Sequence, residues 1–323
     1  MAASSTTVTS AGPVRPARSY WERLRGGDEI AYLITFIAAA AILLITAMLV
    51  YELYINSSVA RSKFGWDFLV TSTWDPVNDQ FGALPFIYGT LVSSALALLI
   101  GIPLGVGAAI FLAELAPPRV SDALTFLIEL LAAVPSVIYG LLGIFVLIPI
   151  LRQVEPALRS VLGWTPFFSG PFYGVSLFSA GVVLAVMIIP FIISISREVI
   201  LAVPGDQREA ALALGATRWE TTWDVVVPYA KKGIMGSIFL ALARSLGETM
   251  AVTMVIGNDP KIKASLFAPG YSIAAVIANE FTEATGQLYT SALIELGLVL
   301  FALTIVINGV ARLLVMGADK YKA

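Results

Sequence analysis

The charged side chains with the most unusual surroundings are Arg244 and Glu248, which stand four residues apart in the apolar segment 233–257. In a continuous α-helix this spacing places both side chains on one face, one turn apart. The planar guanidinium fork suits the oxygens of an oxyanion, and a nearby carboxylate can orient it. A buried salt bridge that fixes helix packing would have the same spacing. The pair therefore predicts either a site for a passing anion or a structural ion pair, and a charge inside a membrane helix favours the first.

Three hydroxyl side chains in apolar segments, Ser136, Tyr139 and Thr249, are candidates for lining the same path. Hydroxyls in apolar helices more often bond their own backbone or an adjacent helix, so a structural role stays open for each of them. Glu129 and Glu295 also lie inside apolar segments. Because each stands within about two turns of a segment end, we interpret both as packing residues.

The composition excludes several kinds of site. None of the 323 residues is cysteine or histidine, which rules out disulfides, thiolate metal sites, histidine-ligated zinc and His-dependent catalytic triads. Charged residues make up 13% of the chain and hydrophobic residues 58%, whereas soluble chains average about 25% charged residues. We therefore expect an all-α polytopic membrane protein with no metal site and no catalytic residue.

Six apolar segments are long enough to cross a bilayer, which takes about 20 largely apolar residues. They are 30–51, a part of 79–114, 123–151, a part of 160–196, 233–257 and 291–315. Pro85 is expected at the start of the second helix, and 101–103 predicts a kink in it. Residues 1–29, rich in Ser, Thr, Ala and Pro, are predicted to be a disordered cytoplasmic tail, and 30–323 a six-helix membrane domain.

The basic residues predict the orientation of the chain in the membrane. Six spans place both termini on one side, and a cytoplasmic N-terminus puts thirteen of the 20 basic residues there, six on the other side and Arg244 in between. Loops rich in Lys and Arg stay in the cytoplasm. We therefore expect a multi-pass protein of the cell membrane with both termini in the cytoplasm.

The longest predicted cytoplasmic connection, 197–232, contains two short helices that meet at a glycine. Asp206 and Glu209 have the spacing of a capping box, and Gly215 is suited to end a helix. Together they predict a helix over 207–214. Small or apolar side chains are expected to make its surface suitable for close approach by another protein: Ala210, Ala211, Ala213 and Leu214.

The second helix of this connection is predicted to begin at Thr217, which forms another capping-box pattern with Glu220. Pro228 is expected to limit it. Trp219 and Trp223 stand four residues apart and therefore share one face. A connection with this much regular structure favours a docking element over a plain linker.

The spacing of the connection resembles the EAA motif of ABC-importer permeases, E-A-A-x3-G-x9-I-x-L-P. Here the motif reads Glu209-Ala210-Ala211, then Gly215, then Val225-Val226-Val227-Pro228, with valine where isoleucine and leucine are usual. The resemblance implies a coupling helix that docks into a partner ATPase through Glu209, Ala210, Ala211, Leu214 and Gly215. An interfacial helix lying on lipid is the alternative.

Further segments, from about residue 60 onward, are similar to phosphate permeases of the PstC type. They are 65–68, 74–76, 81–85, 88–91, 135–140 and 243–252. In that family an arginine and a glutamate at the positions of Arg244 and Glu248 are regarded as important for transport. The resemblance implies a subunit that forms half of an ATP-driven import path for inorganic phosphate.

The same resemblance implies the partners: a second permease of the PstA type, a dimer of PstB-type ATPases and an extracytoplasmic phosphate-binding protein of the PstS type. Membrane lipid is expected around the spans, and no binding to nucleic acid is expected. No G-x-x-x-x-G-K-[ST] segment occurs, so ATP and Mg are expected on the ATPase and no cofactor on this subunit. The chain is expected to be a transporter subunit and not an enzyme.

Three other interpretations of these residues stay open. An ABC permease for molybdate, sulfate or another solute would share the same coupling loop. A secondary transporter driven by protons or sodium would use Glu248, Glu129 or Glu295 as its coupling acid and would leave the coupling loop unexplained. A membrane enzyme would need a clustered nucleophile and base, which the sequence does not show.

Overall fold

The computed structural model of the protein describes residues 28–320. The predicted disordered tail, 1–29, lies outside the described residues except for its last two, which begin the first helix. The described chain is helical, and its β structure is limited to two isolated bridges, one between Asp75 and Gln80 and one between Gly257 and Gly270. The all-α fold class is confirmed.

Most of the described chain lies in α-helices, some of them extended by wider turns. In chain order they are α1 (Asp28–Asn56), α2 (Ser58–Phe64), α3 (Asp67–Val70), α4 (Leu84–Ile110), α5 (Pro118–Ala132), α6 (Ser136–Leu142), α7 (Ile148–Leu162), α8 (Leu177–Leu201), α9 (Gly205–Ala213), α10 (Arg218–Glu220), α11 (Val227–Leu246), α12 (Met250–Val255), α13 (Ile273–Glu280) and α14 (Gln287–Lys320). Three π-helical segments continue or join them: Phe111–Leu115, Gly143–Leu147 and Thr221–Val226. Such segments often mark functional positions.

Six stretches of the described chain are long and apolar enough to cross a membrane, which confirms the predicted number of spans. They are Ile30–Asn56, Leu84–Leu115, Ser136–Leu162, Leu177–Leu201, Arg218–Leu246 and Gln287–Leu313. A helix satisfies its backbone hydrogen bonds within itself and therefore needs no water inside the bilayer. Pro85 lies in the first turn of α4, as predicted, and Pro103 lies inside the same helix.

The chain divides into two units, Met1–Glu52 and Leu53–Ala323. The described part of the first unit is most of α1, an apolar helix whose side chains are almost all exposed. In the second unit, 61% of the most apolar window of α8 is buried, against 28–33% for the other spans. Because α8 also packs along α4, it is the helix around which the second unit is built.

An aromatic cluster in the second unit joins the loop before α4 to α13 and α14. The Trp74 ring meets Phe81 and Phe86 edge to face, with centroids 4.9 and 4.8 Å away, and Tyr289 stacks on Phe81 at 5.2 Å. The Glu280 carboxylate accepts hydrogen bonds from Trp74 Nε1 at 2.8 Å and from the Tyr289 hydroxyl at 2.6 Å. The carboxylate therefore fixes three separate elements together.

The predicted third span, 123–151, is wrong because the chain there is not one helix. The helix α5 ends at Ala132, and a new helix, α6, begins at Ser136 after Pro135. Proline has no N–H to donate, and it disfavours a helical conformation at the residue before it. The membrane-spanning helix is instead Ser136–Leu162.

The predicted fifth span, 233–257, is also interrupted. Its helix begins earlier, at Arg218, and ends at Leu246, and α12 follows after a short break at 247–249. Glycine at position 247 weakens the helix. The Glu248 carboxylate accepts a hydrogen bond from the backbone N–H of Ala251 at 3.2 Å, which satisfies one of the first donors of α12 and favours a new helix start.

Candidate functional site

The candidate coupling residues lie on α9, a short helix that directly follows α8. The helix begins at Gly205, after Pro204, and no side chain caps its start. The predicted capping box at Asp206 is therefore wrong. Pro204 holds an extended conformation, so the chain turns into the helix at the residue after it, two residues before the predicted start.

The end of this helix is the predicted one. The Gly215 N–H donates to the Leu212 carbonyl at 3.0 Å, and the Ala216 N–H donates to the Ala211 carbonyl at 3.2 Å. This pair of bonds is the Schellman motif, which needs a residue in the left-handed conformation. Gly215 has φ +90°, where another residue would be strained by about 1–2 kcal/mol.

The surface next to this turn is apolar and accessible. Leu214 is 90% exposed, Glu209 and Ala210 are exposed, and Ala211 is half-buried. An exposed leucine beside small residues is suited to contact with another protein. The five candidate coupling residues therefore lie together in the second half of α9 and the turn that ends it.

The second half of the connection is one continuous helix that runs into the membrane. The predicted capping box is confirmed: Glu220 N–H donates to Thr217 Oγ1 at 3.3 Å, and Thr217 N–H donates to the Glu220 carboxylate at 2.7 Å. The prediction that Pro228 limits this helix is wrong, because Arg218–Leu246 is helical throughout. The π-helical segment before Pro228 accommodates the missing N–H. The connection is thus continuous with the fifth span.

Arg208 on α9 is held by acceptors from two other elements. Its Nη2 donates to Glu114 Oε1 at 2.7 Å and to the Ile200 carbonyl at 2.7 Å, and its Nε donates to Glu114 at 3.1 Å. Nη1 donates to the Val203 carbonyl. Glu114 lies in the π-helical segment after α4, Ile200 lies in the last turn of α8, and Val203 lies two residues beyond the end of α8. All three guanidinium nitrogens therefore have partners.

The two helix breaks are neighbours in space because α6, which follows the first, packs against α12, which follows the second. A Cβ at Gly140 would lie 2.6 Å from Met254 Sδ and 3.2 Å from Ala251 Cα. The glycine permits this close approach. The candidate path residues on both sides of the breaks are thereby brought to one region.

The structure places Arg244 and Glu248 differently from the sequence prediction. Arg244 lies in the last turn of α11, whereas Glu248 lies in the break, so the two do not share a helix face. No ion pair joins them among the described residues. Arg244 is exposed, with its Cζ 5.8 Å from the centre of the Phe191 ring, and Glu248 is half-buried. The guanidinium is therefore accessible and has no carboxylate partner in the described chain.

The three candidate hydroxyls differ in accessibility. Ser136 and Thr249 are half-buried, at the start of α6 and in the break before α12. Tyr139 is buried, and its hydroxyl donates to the Leu131 carbonyl at 2.7 Å across the first break. The hydroxyl of Tyr139 thus already has a structural bond.

Sequence reasoning missed Arg208, Glu114 and both breaks. Pro135 was a visible signal for the first break. The contact between Arg208 and Glu114 joins residues 94 positions apart, and no spacing rule covers such a pair. No group of three acidic side chains suited to a metal ion occurs within residues 28–320.

Comparison with known families gives a match over residues 101–319 to the model of the binding-protein-dependent transport system inner membrane component. Among curated proteins, the chain is 48% identical to the phosphate transport system permease protein PstC of Mesorhizobium japonicum, over 90% of this chain and 91% of that protein. It is 47% identical to the protein of the same name from Pasteurella multocida, over 87% of this chain and 89% of the other.

Among solved structures, the chain resembles a subunit of a bacterial alginate ABC transporter that was crystallised with a periplasmic protein bound to an alginate pentasaccharide. The TM-score is 0.59 at 17% identity, over 90% of this chain and 95% of that one. A likeness at this identity bears on the fold alone. It agrees with the six-span helical architecture described above.

Proposed function

Because this chain belongs to the family of binding-protein-dependent transport system inner membrane components, we propose that it provides half of a membrane path in which Arg244 meets the transported anion. The chain is the permease subunit of a phosphate ABC transport system, a multi-pass protein of the inner membrane and not an enzyme. The proposal concerns the residues that carry phosphate and those that receive the motion of the ATPase.

The accessible guanidinium of Arg244 is the observation that carries this proposal. A charge inside a bilayer is unfavourable unless it faces protein, water or a ligand. Glu248, the nearest acidic residue in the sequence, caps the following helix and does not neutralise Arg244. This arrangement supports a role in anion transport over the alternative of a structural salt bridge.

In this proposal the break at 247–249 forms the narrow part of the path. Arg244 supplies the positive charge that a dehydrated phosphate needs, and its planar fork suits two phosphate oxygens. Thr249 and Ser136 line the opening from the two adjacent helix starts and offer hydroxyl hydrogen bonds. The Tyr139 ring forms part of the wall of the path. Glu248 limits how tightly an anion is held.

The end of α9 with the turn after it, residues 209–215, is proposed as the contact with the ATPase, and we call it the docking turn. Its exposed side chains, with Leu214 foremost, would insert into the partner. The unbroken helix from Arg218 to Leu246 would carry the resulting displacement to the break beside Arg244. The proposed complex contains a PstA-type permease, a dimer of PstB-type ATPases that binds ATP and Mg, and a PstS-type extracytoplasmic phosphate-binding protein.

The experiment that tests this function is uptake by proteoliposomes that contain the complete complex. ATP inside the vesicles should drive accumulation of labelled phosphate, and a proton or sodium gradient without ATP should not. Sulfate and molybdate should compete weakly. Uptake driven by a gradient alone would contradict the ATP-driven mechanism, and stronger uptake of sulfate or molybdate would contradict the substrate.

The proposed orientation places both termini and the coupling loop in the cytoplasm. Because the chain has no cysteine, single cysteines at Ser58 and Ala213, both exposed, can report the side on which each lies. An impermeant thiol reagent added to intact cells should label the first and spare the second. Labelling of the cysteine at position 213 alone would reverse the orientation.

A further inference from the structure

The bonds of Arg208 suggest a role that the exposed docking turn cannot perform by itself. α9 is followed by the turn at Gly215 and preceded by Pro204, so neither end continues as helix. The helix itself packs against the π-helical segment Thr221–Val226 of the fifth span. Transmission of a push to the second and fourth spans as well requires a separate, stiff attachment to them.

Arg208 provides such an attachment. Its guanidinium reaches the end of α4 through Glu114 and the end of α8 through the Ile200 and Val203 carbonyls. A cation is favourable at the carboxyl end of a helix. One side chain thus bonds at the same time to a carboxylate, to a carbonyl in the last turn of α8 and to a carbonyl just beyond that helix.

The surroundings of this contact make it strong and geometrically specific. The Arg208 side chain is 21% exposed and the Glu114 side chain 11% exposed, so water screens the pair only partly. Charge-assisted hydrogen bonds to a carboxylate are short and directional, and the guanidinium fork holds a fixed orientation. Lysine could supply the charge but could not reach all of these acceptors at once.

We infer that Arg208 is a positioning residue that latches the coupling helix to the ends of the second and fourth spans, so that the motion of the ATPase reaches the path. We call the contact of Arg208 with Glu114, Ile200 and Val203 the latch. This inference rests on the proposed function, since it presumes that α9 receives the motion of the ATPase. The latch is separate from the docking surface, which lies on the exposed face of the same helix.

The test compares ATP hydrolysis with phosphate uptake in the reconstituted complex. Arg208→Gln should still copurify with the ATPase and hydrolyse ATP, while phosphate taken up per ATP hydrolysed should fall by about tenfold, within the usual range for coupling between sites. Glu114→Gln keeps the two carbonyl bonds and should lower the ratio less. Arg208→Lys should restore it only in part.

Arg119→Gln is the matched control, because Arg119 is exposed and bonds to no other side chain in the described chain. In this variant the amount of phosphate taken up per ATP hydrolysed should equal that of the unaltered complex. If Arg208→Gln and Glu114→Gln reduce hydrolysis and uptake in equal proportion, the latch is merely structural and the inference is overturned. If Arg208→Gln does not assemble, the ratio for Glu114→Gln decides alone. Failure of the unaltered complex to retain the ATPase would overturn the proposed function together with the latch, whereas an unchanged ratio in an assembled complex would overturn the latch only.

Discussion

Two regions of the second unit each contain an arginine, and the two guanidinium groups differ in how many partners the protein gives them. At the end of α8, Arg208 has a carboxylate and two carbonyls as partners and is mostly buried. At the end of α11, Arg244 is exposed; its Cζ lies 5.8 Å from the centre of the Phe191 ring, and its side chain makes no hydrogen bond or ion pair with the described residues. A guanidinium with all its donors used holds elements together. A guanidinium with unused donors is available to a ligand that binds and dissociates.

The difference matters because the two charges are expected at different depths. Arg208 lies at an end of the spans, where water can reach part of it. Arg244 lies in a transmembrane helix, where an unneutralised charge costs roughly 3 kcal/mol or more on insertion scales. A protein that keeps such a charge without a carboxylate partner has to meet this cost through function or through a water-filled opening. The comparison therefore separates an arginine that holds elements together, Arg208, from one that is proposed to meet the transported anion, Arg244.

The largest effect is expected from removal of the charge of Arg244, the residue proposed to meet the anion. Arg244→Gln should reduce phosphate uptake by about 100-fold or more, since two charge-assisted hydrogen bonds at about 1.5–3 kcal/mol each would be lost. The complex should still assemble and still bind ATP. Uptake by proteoliposomes and copurification of the ATPase measure both parts of this expectation.

Two further variants sharpen this result. Arg244→Lys should rescue uptake poorly, because a point charge does not reproduce the guanidinium fork. The exchange Arg244→Glu with Glu248→Arg should also fail, since it moves the positive charge from the end of a helix into the break. Normal uptake by the exchanged protein would leave Arg244 with a packing role and remove the contrast with Arg208.

The sequence was sufficient for the elements whose signals are local. The glycine stop at Gly215 and the capping box of Thr217 and Glu220 each depend on a few consecutive residues, and both are confirmed. The number of spans follows from apolar length alone. These features could be predicted because their energies are decided within one or two helical turns.

The features that sequence reasoning missed depend on contacts between distant segments. The pairing of Arg208 with Glu114 is visible only when α4 and α9 are placed side by side. The break at 247–249 separates Arg244 from Glu248, although their spacing suits a continuous helix. Gly247 was a weak signal, and the hydrogen bond from Ala251 to Glu248 competes with the helix in a way that propensity does not reveal.

The second largest effect is expected at the docking turn, the proposed contact with the ATPase. Gly215→Trp should lower copurification of the ATPase and phosphate uptake together, because the bulky residue blocks approach and is strained at φ +90°. Gly170→Trp is a matched control: Gly170 also has positive φ, at +87°, and open space around it, but lies in the loop before α8. Equal loss of the ATPase from both variants would show that strain, and not docking, is responsible.

A smaller effect is expected at Glu280, a third charged residue, whose carboxylate accepts hydrogen bonds from Trp74 and Tyr289. Tyr289→Phe removes one of the two hydrogen bonds to the Glu280 carboxylate and should lower the free energy of unfolding by about 2 kcal/mol. Uptake at moderate temperature should stay near that of the unaltered complex. Thermal denaturation of the purified complex measures the loss of stability. Tyr173→Phe, at an exposed tyrosine, is the control and should change neither. A large loss of uptake at full stability would mean that Glu280 acts in transport as Arg244 does.

The smallest effect is expected at the start of the helix of the fifth span, which lies in the sequence between Arg208 and Arg244. Thr217→Ala removes the hydroxyl that accepts from the Glu220 N–H, and amide hydrogen exchange at Glu220 should become about fivefold faster, the usual size of an N-cap effect. Thr217→Ser retains the hydroxyl and should restore protection. Phosphate uptake should change little in either variant, because the helix continues for many turns beyond its first and stays attached to the docking turn. If Thr217→Ala reduced uptake as strongly as Gly215→Trp, the first turn of this helix would itself be needed to carry the motion toward Arg244. Thr217 would then belong to the coupling machinery, and its capping box would not be merely a local stabiliser.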